Sequence, residues 1–241
     1  MRSVFIFCLI IVAIYAKDIN IAVAANASSV VKEISKEYQK SHLGDKINIT
    51  IGSSGKLAAQ ILNGAPYDLF LSANMEYPKK IANRLNLKLK PKIYAKGALA
   101  IFSTKIKNPN IDTLKNSNIH KIAIANDRSA PYGKATKELL ENLKLYSKLK
   151  PKFIYGESIG QTLVFTLKAA DIGIVAKSLL KDAKMSKYKE GINYNSIDST
   201  LYTPIEQGAL LLKDRAKEFY EYIFSNEAKN IFKKYGYIVD E

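Results

Sequence analysis

The chain has 241 residues, 47% of them apolar, with 37 basic against 22 acidic side chains, a formal charge of +15, one cysteine and two histidines. That apolar share supplies a globular core and argues against a disordered or collagen-like chain. A single cysteine excludes an intramolecular disulfide framework, and the lysines are too dispersed for a basic helix interleaved with aromatics, so the charge reads as a solvated surface rather than a nucleic-acid face.

In chain order, the first segment is Arg2 followed by the apolar run Val4 to Ile14, with Ala16 just before Lys17-Asp18. This predicts a secretory signal peptide over 1–16, removed on export. The run is shorter than the ~20 residues that span a bilayer. Cys8 lies inside it, beside Phe5-Ile6-Phe7, without the small residues of a lipid-attachment site. The expectation is a soluble exported protein with no cysteine, held by its core alone, and with 36 basic and 22 acidic residues remaining.

Ile19 to Ala24 predicts a strand that ends in Ala25-Asn26-Ala27-Ser28-Ser29. Val31, Ile34 and Tyr38 then share a helical face, with Ser28 or Ser29 as N-cap. A second strand, Ile47 to Ile51, ends in Gly52-Ser53-Ser54-Gly55, where Ser54 can cap a helix carrying Leu57, Ile61 and Leu62 and closed by Gly64. Asp68 to Leu71 reads as a short buried strand, Ile81 to Leu85 as part of a helix, and Ala98 to Phe102 as the next apolar segment.

A similar block follows. Strand Ile122 to Ala125 leads through Asn126 to Tyr132 into a helix with Leu139, Leu140 and Leu143, and Pro131 suits its first turn. Phe153 to Tyr155 precedes Ser158 and Gln161, which have capping-box spacing, and a helix with Leu163, Val164 and Leu167. Ile172 to Val175 and Gly208 to Leu212 are further strands. Two amphipathic helices, around Phe219 to Phe224 and Ile231-Phe232, close the chain. Strands alternating with helices predict α/β layers with largely parallel sheets, whose ligands bind beyond the carboxyl ends of strands.

The loops after residues 24, 51, 125 and 155 are all of that kind. A helix start leaves backbone N–H groups free, and its dipole favours an anion. Asn26 with Ser28 and Ser29, and Ser53-Ser54-Gly55, therefore fit an oxyanion site, but the same residue types serve as ordinary caps. Gly52 and Gly55 permit close backbone approach, which tilts the second loop towards a ligand. Gly52 to Lys56 lacks the spacing of a nucleotide phosphate loop, and no Gly-x-Ser-x-Gly elbow is present. Tyr132, between Pro131 and Gly133, can reach an anion with its hydroxyl or simply pack, and Ile159 can contribute only its backbone N–H. His42 and His120 read as surface residues without metal-ligand companions. No carboxylate pair and no nucleophile with a base stands out, so no catalytic residue is assigned.

Several stretches, in this order, carry a family resemblance: Ala24 to Ser28; Gly52-Ser53-Ser54-Gly55-Lys56-Leu57-Ala58-Ala59-Gln60-Ile61; Gly64 to Ala73; Pro131-Tyr132-Gly133; Gly173-Ile174-Val175; and the tail Ala228 to Tyr237. The chain resembles the periplasmic molybdate-binding proteins of bacterial ABC importers over nearly all of its mature length. The resemblance implies a two-lobed type II periplasmic binding protein, with mixed, mostly parallel sheets flanked by helices and a ligand cleft at the hinge. Lobe 1 would comprise residues 17–98 and 206–241, and lobe 2 residues 99–205.

It further implies a tetrahedral oxyanion, molybdate or tungstate, held by Asn26, Ser54, Tyr132 and the N–H of Ile159, with no cofactor and no metal bound directly by side chains. The partners would be a membrane permease and its ATPase, and the carrier a monomer. Asn26 replaces the commoner serine and keeps an amide N–H₂ donor. Ala176 stands where some members have a tyrosine, and Tyr132 could supply the phenol instead. Molybdate and tungstate carry no proton at neutral pH and suit a site of donors only, whereas phosphate keeps a proton and wants an acceptor. Sulfate transport, an exported enzyme on an anionic substrate and a basic surface binding nucleic acid are the alternatives.

Overall fold

The computed structural model describes residues 17–239; the signal segment and Cys8 lie outside them. The first elements are β1 (Asp18–Ala24), α1 (Ser28–Ser41), β2 (Lys46–Gly52), α2 (Ser54–Leu62), β3 (Leu69–Ser72), α3 (Glu76–Arg84) and β4 (Lys92–Gly97). They are followed by β5 (Leu99–Phe102), β6 (Ile122–Ala125), α4 (Pro131–Asn142), α5 (Tyr146–Leu149), β7 (Phe153–Gly156), α6 (Ile159–Lys168), β8 (Ile172–Ala176), α7 (Lys177–Leu180) and β9 (Tyr194–Ser196). The chain ends with β10 (Ile205–Leu211), α8 (Lys217–Tyr222) and α9 (Asn226–Lys234).

Two five-stranded sheets result, ordered β2-β1-β3-β10-β4 and β7-β6-β8-β5-β9. β1 runs parallel to β2 and β3, and β6 parallel to β7 and β8. β10 and β5 pair antiparallel with their neighbours. The antiparallel strands flank the crossings: the chain leaves the first sheet at Gly97, enters the second at Leu99, and returns into β10. This is the expected two-lobed architecture with mixed sheets.

Each lobe has its own core. On one face of the first sheet, Ile21, Val23, Val31, Ile34, Phe219 and Phe232 pack together, which joins the N-terminal helix to the two C-terminal ones. The opposite face holds Leu57, Ile61, Phe70 and Leu210. In the second lobe, Ile122, Ile124, Leu139, Leu140, Ile172 and Ile174 form the centre. No helix among the described residues is long and apolar enough to cross a membrane.

The local expectations fail in identifiable places. The N-cap of α1 is Ala27, because a 3₁₀ turn over Ala25–Ala27 comes first, and Ser28 and Ser29 sit in the helix itself. Ser53, not Ser54, is the N-cap of α2. β4 and β9 go beyond the sequence reading, and α3 begins at Glu76, earlier than the apolar residues indicate. α6 buries Thr162 and Thr166 while Val164 is 47% exposed. The two threonines bond their hydroxyls back to Ser158 O and Thr162 O, at 3.0 and 2.8 Å, so each hydroxyl is satisfied within the helix. α6 then lies close on its sheet: a Cβ at Gly173 would overlap Thr166 Oγ1.

Candidate functional site

The carboxyl ends of β1, β2, β6 and β7 run into helix starts, and register pairs Ala24 with Gly52 and Ala125 with Gly156 at those ends. The two lobes bring these ends together around a small cavity of about 10 Å³ lined by buried side chains. Asn26, Ser53 and Ser54 line it from the first lobe, and Pro131, Tyr132 and Ile159 from the second, with several alanines between. All four expected site residues, Asn26, Ser54, Tyr132 and Ile159, therefore lie on one cavity, each almost fully buried. Ser28 and Ser29 do not line it. Larger grooves of about 460 and 690 Å³ open nearby, but they are walled by exposed charged side chains and do not hold the converging helix starts.

Among the described residues that line the cavity, none is charged. Its electrostatics come from the first turns of α2, α4 and α6, whose N-terminal ends carry partial positive charge and N–H groups without partners inside the helix. Pro131 opens α4 without a donor to lose, which leaves Tyr132 in the first turn. Ile159 is the first residue of α6, behind the N-cap Ser158. The Ser158 hydroxyl accepts the Gln161 N–H at 3.2 Å, as the capping-box spacing implies, and Gln161 Oε1 accepts the N–H of Glu157, one residue before the cap, at 2.7 Å, so both side chains fix this start.

The hydroxyls present donors. Ser54 Oγ accepts the Ala73 N–H at 2.9 Å, which leaves its own proton free. Among the described residues, Ser53 Oγ, Tyr132 OH and Asn26 Oδ1 are buried polar atoms without a hydrogen-bond partner. Orphaned atoms of this kind are uncommon and call for a partner. Burial pushes the Tyr132 phenol well above the ordinary tyrosine range, so it stays protonated and able to donate.

The side chain of Asn26 is tied to its own lobe. Both hydrogens of its amide are committed, to Gln207 Oε1 and Tyr237 OH, each at 2.8 Å. Its amide oxygen is buried without a hydrogen-bond partner. The main-chain oxygen of Asn26 accepts from Ser178 Oγ at 2.9 Å and from Tyr237 OH at 3.0 Å. Sequence reasoning passed over Gln207, Tyr237 and Ser178, and kept Ser53 only as part of its loop. Gln207 did leave a signal, being a polar residue directly before the apolar run Gly208 to Leu212. Ala176 ends β8 as expected, fully buried, and the phenols near the site come from Tyr132 and Tyr237.

Contacts between the lobes close the mouth. The Gly55 N–H donates to Ser129 O at 2.9 Å, and Tyr77 OH to Arg128 O at 3.3 Å. Lys56 pairs with Glu157 at 3.1 Å and Lys134 with Glu76 at 3.0 Å. A Cβ at Gly55 would stand 2.9 Å from Ser129 O, so only glycine permits this approach.

A family model described as bacterial extracellular solute-binding protein matches residues 19–238. The molybdate-binding protein ModA of Rhodobacter capsulatus is 33% identical over 233 residues, covering 93% of this chain and 90% of that protein. ModA of Azotobacter vinelandii is 33% identical over 235 residues, covering 93% and 91%. The solved structure of the Azotobacter vinelandii periplasmic molybdate-binding protein matches with a TM-score of 0.85 at 30% identity, covering 92% of this chain and 100% of that one. The family match over nearly the whole described length agrees with two lobes meeting at a small cavity, and the chain belongs to the bacterial extracellular solute-binding proteins.

Proposed function

We propose that this chain captures molybdate or tungstate in the periplasm and hands it to the permease and ATPase of an ABC importer, as a monomeric carrier without catalytic turnover or cofactor. The observation that carries the reading is the small, uncharged cavity at which three helix starts meet the unpaired hydroxyls of Ser53 and Tyr132 and the free proton of Ser54. Such a site holds an anion by dipoles and neutral donors. Relatives named for molybdate support the choice of anion. In this reading Ser53, Ser54, Tyr132 and the N–H of Ile159 donate, and Asn26 shapes the wall. The lobes, 17–98 with 206–241 and 99–205, close over the anion by bending at the two crossings, and the closed form is what the permease recognises. The export signal over 1–16 places the carrier outside the cytoplasmic membrane.

Ser54→Ala tests it. One hydrogen bond to a charged ligand contributes about 1.5–3 kcal/mol, so the variant should bind molybdate about ten- to a hundredfold more weakly in calorimetric titration, with its fold kept by circular dichroism. Unchanged affinity would remove Ser54 from the site.

A further inference from the structure

Gly97 closes β4 at the point where the chain crosses to the second lobe, and it pairs there with Ile205, the first residue of the returning strand β10. It is buried, and its φ is not in the left-handed region, so conformational freedom does not call for a glycine here. Space does. A Cβ built on Gly97 would fall onto the Tyr132 hydroxyl, with Tyr132 Cζ at 3.1 Å and Gln207 Nε2 at 3.0 Å. Glycine in a strand commonly marks such a close approach. Tyr132 comes from α4 of the second lobe, its side chain is 1% exposed, and its hydroxyl is buried without a hydrogen-bond partner. The phenol therefore reaches out of one lobe and ends on the bare Cα of the crossing strand. We infer that Gly97 is a positioning residue of the oxyanion site: its missing side chain is the seat that holds the Tyr132 hydroxyl beside the crossing.

This placement rests on the reading of the cavity as an oxyanion site in which Tyr132 donates. It gives that donor a fixed place before the anion arrives. When two lobes part about a hinge, the groups beside the crossings travel least. A donor already in position needs little ordering on binding. A methyl group at position 97 would take the seat. With the Tyr132 ring fully buried, clearing that overlap means shifting α4 or the crossing strand, and either shift moves the donor relative to the other helix starts. Once the hydroxyl is gone, the remaining contacts at 3.1 and 3.0 Å are tight but need only a few tenths of an ångström of give.

The test is a double-mutant cycle on residues 17–241: the native chain, Gly97→Ala, Tyr132→Phe and the double variant, each titrated calorimetrically with sodium molybdate and melted without ligand. Each single variant should bind about tenfold more weakly than the native chain. The double variant should bind within about twofold of Tyr132→Phe, because without the hydroxyl the methyl group has nothing to displace. Its melting temperature should likewise stay close to that of Tyr132→Phe, while Gly97→Ala alone lowers the melting temperature of the native chain. A double variant about a hundredfold weaker than the native chain, as two independent losses would give, makes Gly97 a structural residue of the crossing and overturns the inference. Native affinity in either single variant overturns it too. If Gly97→Ala does not fold, the double variant decides: folded and binding as Tyr132→Phe does, it upholds the seat, and unfolded or markedly weaker, it overturns it. No molybdate binding by the native chain ends the molybdate reading instead. The melting cycle then decides the seat alone, and an equal fall from Gly97→Ala with and without the Tyr132 hydroxyl overturns it.

Discussion

Tyr132 concentrates the behaviour of the site in one side chain. Its ring is buried in the second lobe and its hydroxyl, among the described residues, has no partner. A buried hydroxyl in that condition costs stability, and a charged ligand that accepts from it returns more than was lost. Tyr132→Phe should therefore separate the two quantities. Unfolding stability should stay level or rise by up to about 1 kcal/mol, while oxyanion affinity falls about tenfold. Loss of both together in denaturant titration and calorimetry would make Tyr132 an ordinary packing residue.

The residues legible in the sequence were those that act locally. Asn26, Ser54, Tyr132 and Ile159 each follow a strand at a helix start, and chain order alone gives that position. Gln207, Tyr237 and Ser178 were not legible as site residues because they reach Asn26 across 181, 211 and 152 residues of sequence. The hydrogen-bond partners of the Asn26 amide are those distant residues, which its own place in the chain does not reveal.

Among the elements, α6 packs by more than its apolar residues. Leu163 and Leu167 are half-buried against the core and Val164 is exposed, while the fully buried positions are Thr162 and Thr166 over Gly156 and Gly173. Small residues on both surfaces bring the helix close to its sheet, and the first turn of that helix presents Ile159 to the cavity. Gly173→Ala should force the helix outward and destabilise the protein by about 1–3 kcal/mol, the usual range for overpacking. Adding Thr166→Ala should recover part of the loss in a double-mutant cycle on urea unfolding. A purely additive result would mean that this contact does not set the helix position. β4 escaped notice for a related reason. Lys92 and Lys96 hide a strand whose place comes from antiparallel pairing with β10 and not from its own pattern.

For the whole molecule, the cavity exists only because two sheets meet, and the closed form is held by contacts that belong to neither lobe alone. Lys56 and Glu157 are each about half exposed, so their pair contributes little on its own. It nevertheless joins α2 to the start of α6, across the mouth. Lys56→Glu should speed ligand release about two- to fivefold in stopped-flow measurements. Adding Glu157→Lys should restore the slow rate by re-forming the pair with reversed charges. A double variant as fast as the single one would exclude the pair as a clasp. Anion capture by the closed cavity is the central claim, and calorimetric titration of residues 17–241 with molybdate, tungstate, sulfate and phosphate at equal ionic strength tests it most directly. Tight one-to-one binding of molybdate and tungstate, well above sulfate and phosphate, is the expected result. No binding of molybdate or tungstate, with the protein folded, would contradict it.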